Sequence, residues 1–252
     1  MIFRLMKKEL YEFLKTGKLI AIVAVFLFFS ILSPITAKIM PDLIKSMSME
    51  ITIIVPPPTW KDAFLQFSKN LNQIVFLVIV LLFIGSIAEE KNRKTATLVV
   101  SKGVDRREWV VAKFVFYFLL VFLLLWASFA LCYYYSVILF PDTEFYSSFS
   151  SSILFLIYIT FIISLTVFSS SIGNSMLEAG GIFISVFIAL NILNIFPSVK
   201  PYNPMNLSSI ENQWILSGVD WRIALKPVIF SLLLSLILIF LGASYFNNQE
   251  LE

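Results

Sequence analysis

The chain of 252 residues contains no histidine, and its one cysteine, Cys132, lies inside an apolar run. Histidine is the commonest general base and metal ligand, so histidine-dependent hydrolysis and zinc or haem ligation lose their usual groups. A single cysteine cannot close a disulfide within the chain, and Cys132 reads as a small apolar packing residue. Charge is scarce as well. Asp, Glu, Lys and Arg make up 14% of the residues, against about 25% in a soluble domain. The net charge of +3 is too small for a nucleic-acid footprint. No Gly-x-x-x-x-Gly-Lys-Ser/Thr sequence occurs; Gly17-Lys18 runs into Leu19 and lacks the upstream glycine. No phosphate-binding loop of that kind is present, so ATP hydrolysis is not expected of this chain.

What remains is apolar. Hydrophobic residues reach 59%, and the mean hydropathy of +0.89 holds over the whole length. Six stretches carry no charge: 19–37, 71–88, 114–141, 145–177, 179–199 and 227–249. About 20 apolar residues cross a hydrocarbon core of about 30 Å, so each can span a membrane. A polar cluster, Ser147–Ser152, opens the fourth stretch and places its span at 153–172. The expected architecture is an all-α membrane protein with spans at about 19–37, 71–88, 114–140, 153–172, 179–197 and 228–246. Helices are required because lipid offers no partner to backbone N–H and C=O groups. The closed-barrel alternative needs alternating strands, and Val121-Phe122-Leu123-Leu124-Leu125-Trp126 does not alternate.

Lys and Arg fix the expected orientation. With both termini in the cytoplasm, inner segments hold 12 basic residues and outer segments 7, as the positive-inside rule asks. A cleaved leader ending at Ala37 is disfavoured by its long charged start and by Ile35 at the position that needs a small residue. Residues 1–18 have helical periodicity, with Phe3, Met6, Leu10, Phe13 and Leu14 on one face and Arg4, Lys7, Lys8, Glu12 and Lys15 on the other. Such a helix lies flat on the inner leaflet as an interfacial elbow.

Among the outer segments, 38–70 carries Pro41 and the triplet Pro56–Pro58, and three prolines in a row favour an extended bend and end any helix. Thr59 and Asp62 then cap a short helix whose Trp60, Phe64, Leu65 and Phe67 suit the outer interface. The inner segment 89–113 is the largest charged feature, with seven basic and four acidic residues in 25. The second span is expected to run on as helix to about Val100. Gly103 follows as a stop, and Asp105 with Glu108 starts the third span near Arg106. Gly173–Glu178 makes a tight hairpin of spans four and five, and Gly180 and Gly181 let the fifth helix approach a neighbour.

No Lys, Arg, Asp or Glu lies in the middle of a span, so the groups that ion- or proton-driven pumps use at mid-membrane are missing. The polar groups there are neutral. Thr160, Ser164, Asn191 and Asn194 are candidates to line a path, or else to hydrogen-bond neighbouring helices.

The pattern resembles the type-2 ABC transporter permeases. The shared features are a basic amphipathic first helix, six spans, both ends inside and one large inner loop between spans two and three. Within that loop Glu90, Ala96-Thr97-Leu98, Ser101, Gly103-Val104-Asp105-Arg106, Glu108 and Lys113 follow the family's motif, with Ala96, Gly103 and Asp105 departing from its usual Gly, Pro and Ser. The resemblance implies a non-catalytic transmembrane subunit in the bacterial plasma membrane. It implies a separate cytoplasmic ABC ATPase in two copies, which carries ATP and magnesium, and a second permease chain, identical or paralogous. Glu89, Glu90, Thr97, Leu98, Ser101, Val104, Arg106 and Glu108 would contact or couple to the ATPase. A largely apolar path suits an amphiphilic peptide, lipid or drug as exported cargo. The competing reading is a self-contained carrier or membrane scaffold that does not depend on ATP.

Overall fold

The computed structural model describes residues 2–47, 56–100 and 103–249, and these are helical with no strand among them. The elements are α1 (Ile2–Lys15), α2 (Lys18–Met47), α3 (Trp60–Asn70), a π-helical turn (Leu71–Val75), α4 (Phe76–Phe83), α5 (Ala88–Asn92), α6 (Thr95–Val100), α7 (Arg106–Leu139), α8 (Phe145–Ile172), α9 (Met176–Leu193), α10 (Asn206–Ser217) and α11 (Trp221–Asn248). Six stretches are long and apolar enough to cross a membrane: Lys18–Ile44, Trp60–Asn92, Arg106–Leu139, Phe145–Ile172, Met176–Leu193 and Trp221–Asn248. These carry the six expected spans, and the chain is a multi-pass membrane protein.

The helices run further than the charge-free stretches. α2 passes through Pro34 and Pro41 to Met47. Proline removes one backbone N–H and does not have to end a membrane helix when neighbouring groups take up the freed carbonyl. Trp60, Phe64 and Phe67, expected on an outer helix, are buried within the bundle. They begin the second span, packed against α2, α7 and α10. The expected cap is present, with the Thr59 N–H and hydroxyl both donating to Asp62 Oδ2, at 2.8 and 2.9 Å. The serine cluster 147–152 lies inside α8 and is largely buried. Serine hydroxyls can return to their own helix's carbonyls; Ser148 donates to Glu144 O and Ser152 to Ser148 O. This removes the polarity that set the expected start of the span.

α8 is the axis of the bundle. Its buried side chains run from Ser147 to Ser171 and meet α4, α7, α9, α10 and α11. Small residues allow close approach where no hydrophobic force separates helix from lipid. At Gly242 of α11 an added Cβ would stand 2.9 Å from Ser171 Oγ and 3.4 Å from Phe168 Cα. Gly180 and Gly181 of α9, expected to serve a close contact, have nothing within 4 Å of that position in this chain.

At one end of the bundle the C-terminal end of α11 meets the start of α7 and the α8–α9 link. Arg106 donates to the Asn247 and Gln249 carbonyls, and Gln249 Nε2 to Asn174 Oδ1. α10 closes the opposite end, where Lys61 Nζ donates to Leu216 O at 2.8 Å. Gly242→Leu should lower unfolding stability by about 1–3 kcal/mol through overpacking against α8, read as a lower thermal midpoint in detergent. Gly181→Leu should leave that midpoint unchanged or raise it, since leucine favours helix and the position is open.

Candidate functional site

The candidate site lies at the termini end, where α1, the α4–α5 junction and α7 meet. α1 presents three faces. Leu5, Glu9 and Phe13 point inward and are buried. Phe3, Leu10 and Leu14 are exposed, and Arg4, Lys7 and Lys15 are exposed beside them. The inward face differs from the simple two-sided helix expected: it carries an acid in its centre, and the reason stands on α7.

Lys113 is 1% exposed, in the second turn after the Asp105 cap, whose side chain accepts from Arg107 N. Its ammonium lies 2.7 Å from Glu9 Oε1 and 2.8 Å from Glu90 Oε1. Lys8 reaches the same Glu90 oxygen at 2.8 Å from the solvent side. Tyr117, one turn along α7, donates to Glu9 Oε2 at 3.2 Å. Two lysines and two glutamates make a neutral cluster that joins three segments 23 to 104 residues apart. Glu9, Glu12 and Glu90 bring carboxylate oxygens within 4.8 Å of one another. That spacing would suit a cation, and the ammonium groups of Lys8 and Lys113 are the cations that fill it here.

Aromatic rings wall the cluster from lipid. Phe83 stacks on Tyr117 at 4.2 Å between ring centroids, and Phe13 packs against Phe83, Phe116 and Tyr117 at 5.4 to 6.0 Å. Lys113 also lies 5.2 Å from the Trp109 ring centre. Ion pairs gain strength in such low-dielectric surroundings but must first repay desolvation of both charges. The lysine accordingly has two carboxylates, not one. Beside the cluster a cavity of about 290 Å³ opens between Lys8, Thr16 and Lys18 on one wall and Ser86, Glu89 and Arg93 on the other.

The stretch from α4 to Val100 is not the single continued helix that was expected, whereas the expected stop at Gly103 is left-handed. The chain turns at 84–87, forms α5, and turns again at Lys94, whose φ of 57° is left-handed. It resumes as α6 and reaches the left-handed Gly103 at φ 79°. Left-handed backbone breaks a helix in either place. Among the expected coupling residues, Glu90 is in the ion cluster, Glu89 lies 3.7 Å from Arg93, and Thr97 is exposed. Val104 packs against the core, Arg106 holds the end of α11, and Glu108 Oε2 is buried without a hydrogen-bond partner among the described residues. Leu98 belongs to α6, its side chain lying outside the described part, and Ser101 lies outside the described residues.

The residues expected along a path are not brought together. Thr160 and Ser164 are buried in α8 and bond to the Leu156 and Thr160 carbonyls. Asn191 is exposed on α9 and bonds to Phe187 O, while Asn194 caps that helix. The sequence reading missed Glu9 altogether and gave Lys113 no role. The available signal was a carboxylate with apolar residues four before and four after, Leu5 and Phe13, which places it on the helix's buried face.

Lys113→Met should leave the buried Glu9 with only the half-exposed Lys8 ammonium, 3.5 Å away, and cost about 3 kcal/mol. In the double variant with Glu9→Gln most of that loss should return. Thermal unfolding of both proteins in the same detergent checks the pair, and equal losses in the single and double variants would contradict it.

Comparison with known proteins agrees with this architecture. An uncharacterized transmembrane protein of Bacillus subtilis, YxlG, is 24% identical over 251 residues, covering 98% of this chain and 97% of the relative. The family described as "ABC-2 family transporter protein" matches residues 3–251. With nearly its whole length inside that match, the chain belongs to the ABC-2 family of transporter proteins, as a transmembrane subunit.

Proposed function

We propose that the chain is the permease subunit of an ATP-driven exporter whose segment 88–113 receives a separate cytoplasmic ABC ATPase. On this reading both termini face the cytoplasm, and α1 is the interfacial elbow. Two ATPase copies bind ATP and magnesium. Two permease chains, identical or paralogous, place the path between them. The cargo class is an amphiphilic peptide, lipid or drug, in keeping with the apolar helix surfaces that such a path would offer.

The observation that supports this most is the contrast between the tip of that segment and its root. At the tip Arg93, Lys94, Thr95 and Thr97 are exposed. At the root Glu90 and Lys113 are tied to each other and to α1. A load applied at the tip therefore acts on the second span, the third span and the amphipathic helix together. Family membership implies partnership with an ATP-binding subunit, and the chain's lack of a phosphate-binding loop requires the nucleotide to sit elsewhere.

Arg106 bonds to the end of α11, so charge reversal there would disturb the fold as well as docking. The exposed tip gives the cleaner test. Arg93→Glu combined with Thr97→Arg should reduce recovery of the ABC ATPase on co-purification at least tenfold and abolish ATP-dependent transport, with the thermal midpoint unchanged. Undiminished recovery and transport would refute the docking role. Solute flux down an ion gradient by the purified chain alone in liposomes would favour the self-contained carrier.

A further inference from the structure

The end of the bundle away from the termini contains a buried acid that nothing above uses. Glu211 is 3% exposed, in the middle of α10. Leu207, Ile210, Trp214 and Ile215 surround it on that helix and are themselves buried. Its Oε2 accepts from Asn72 Nδ2 at 2.9 Å, and the Ser68 hydroxyl faces the same carboxyl. Asn72 lies in the π-helical turn Leu71–Val75, where the second span departs from α-helical register. Such single wide turns often mark places where a helix serves something other than its own packing.

The charges on neighbouring elements do not reach it. On α3, Lys61 bonds to the Leu216 carbonyl, Asp62 caps Thr59, and Lys69 lies by the α2–α3 crevice. On α8, Tyr158 is the titratable group that feels its charge, and Glu144 bonds to Ser147. Between α9 and α11, Lys226 lies over Tyr202, Asp220 caps α11 at Arg222 N, and Lys200 lies on the turn Lys200–Tyr202. Among the described residues, none of these cations forms an ion pair with Glu211.

The amide opposite the acid is fixed in one orientation. Asn72 Nδ2 also donates to Ser68 O at 2.9 Å, and a carbonyl can only accept. Asn72 Oδ1 is left buried and without a hydrogen-bond partner among the described residues. A carboxylic acid and a primary amide form two hydrogen bonds, N–H to carbonyl and O–H to carbonyl. The first is present. The second needs a donor toward Asn72 Oδ1, which an ionised carboxylate does not have and a protonated Glu211 does.

We infer that Glu211 is a proton-binding site that pins α10 to the π-helical turn of the second span when protonated and loosens it when ionised. Burial pushes the Glu211 carboxyl up to about 7, against the hydrogen bond from Asn72 that favours the charged form; the nearby Ser68 hydroxyl donates to Asn212 Oδ1. A raised carboxyl means that the docked state holds its proton more tightly than the open state. Docking is then strongest below about pH 4.5, the ordinary value, and weakens as pH climbs to about 7. The inference concerns docking of α10 and stands without the transport reading.

Hydrogen–deuterium exchange of peptide 206–217 tests it, with the full chain in lipid nanodiscs and rates corrected for intrinsic chemistry. The opening equilibrium should rise about tenfold per pH unit between about 4.5 and 7 and then level off. Glu211→Gln supplies the second donor permanently, so its peptide should stay protected and flat with pH. Difference infrared spectroscopy should show a protonated-carboxyl band that titrates around pH 7 in the parent protein and is missing from the variant. An unchanged pH trend in Glu211→Gln overturns the inference. So does loosening of that variant at pH 5, or a parent protein without the titrating band. Should the variant fail to fold, the parent's exchange profile and carboxyl band decide alone.

Discussion

A primary ammonium group removed from water at the edge of a lipid-facing bundle must be compensated, and the termini end is arranged around that necessity. Lys113 obtains two carboxylates from segments far apart in the chain, Glu9 and Glu90. Lys8 then balances the second acid, and Tyr117 holds the remaining oxygen of the first. Each group would be costly alone, and together they are neutral. Geometry follows from this: α1 cannot roll about its axis, and the root of the segment 88–113 cannot leave α7, without exposing an unpaired charge to a ring of aromatic side chains.

The two ends of the bundle treat buried polarity differently. Near the termini, full charges are matched with full charges. At the other end Glu211 meets a neutral amide and a hydroxyl. Between them α8 buries many serines and threonines, several of which bond to the carbonyl three or four residues back. Those hydroxyls cost the membrane little and keep the axis narrow enough for α11 to lie close at Gly242. The exposed surfaces of α9 and α11, with Ile184, Ile188, Leu236 and Phe240, are left to lipid or to a second chain.

The spans and several helix starts were legible because their causes are local. Charge-free length gave six crossings, Asp105 announced the start of α7, and Thr59 with Asp62 announced α3. The helices α2 and α8 run beyond the expected spans, because neighbouring backbone and side chains absorb Pro41 and the serines at 147–152. The break at 84–87 has a local trace in Gly85-Ser86 that charge counting passed over, and the left-handed Lys94 had none. The ion cluster and the Glu211–Asn72 pair were unreadable for another reason: the partners are separated by 104 and 139 residues. Each acid did leave a trace, being flanked four residues away on both sides by apolar residues, Leu5 and Phe13 around Glu9, Leu207 and Ile215 around Glu211. An acid on a buried stripe identifies the question without naming the group that answers it.

The distance along the chain between Glu9 and Lys113 also imposes a chronology. Synthesis delivers the amphipathic helix first, and the base that neutralises its acid emerges 104 residues later, after two crossings have been threaded. Until that moment Glu9 has only Lys8 as a counter-charge, and burying it would leave an acid incompletely paired. The amphipathic helix is therefore made before the residues of α5 and α7 that seat it.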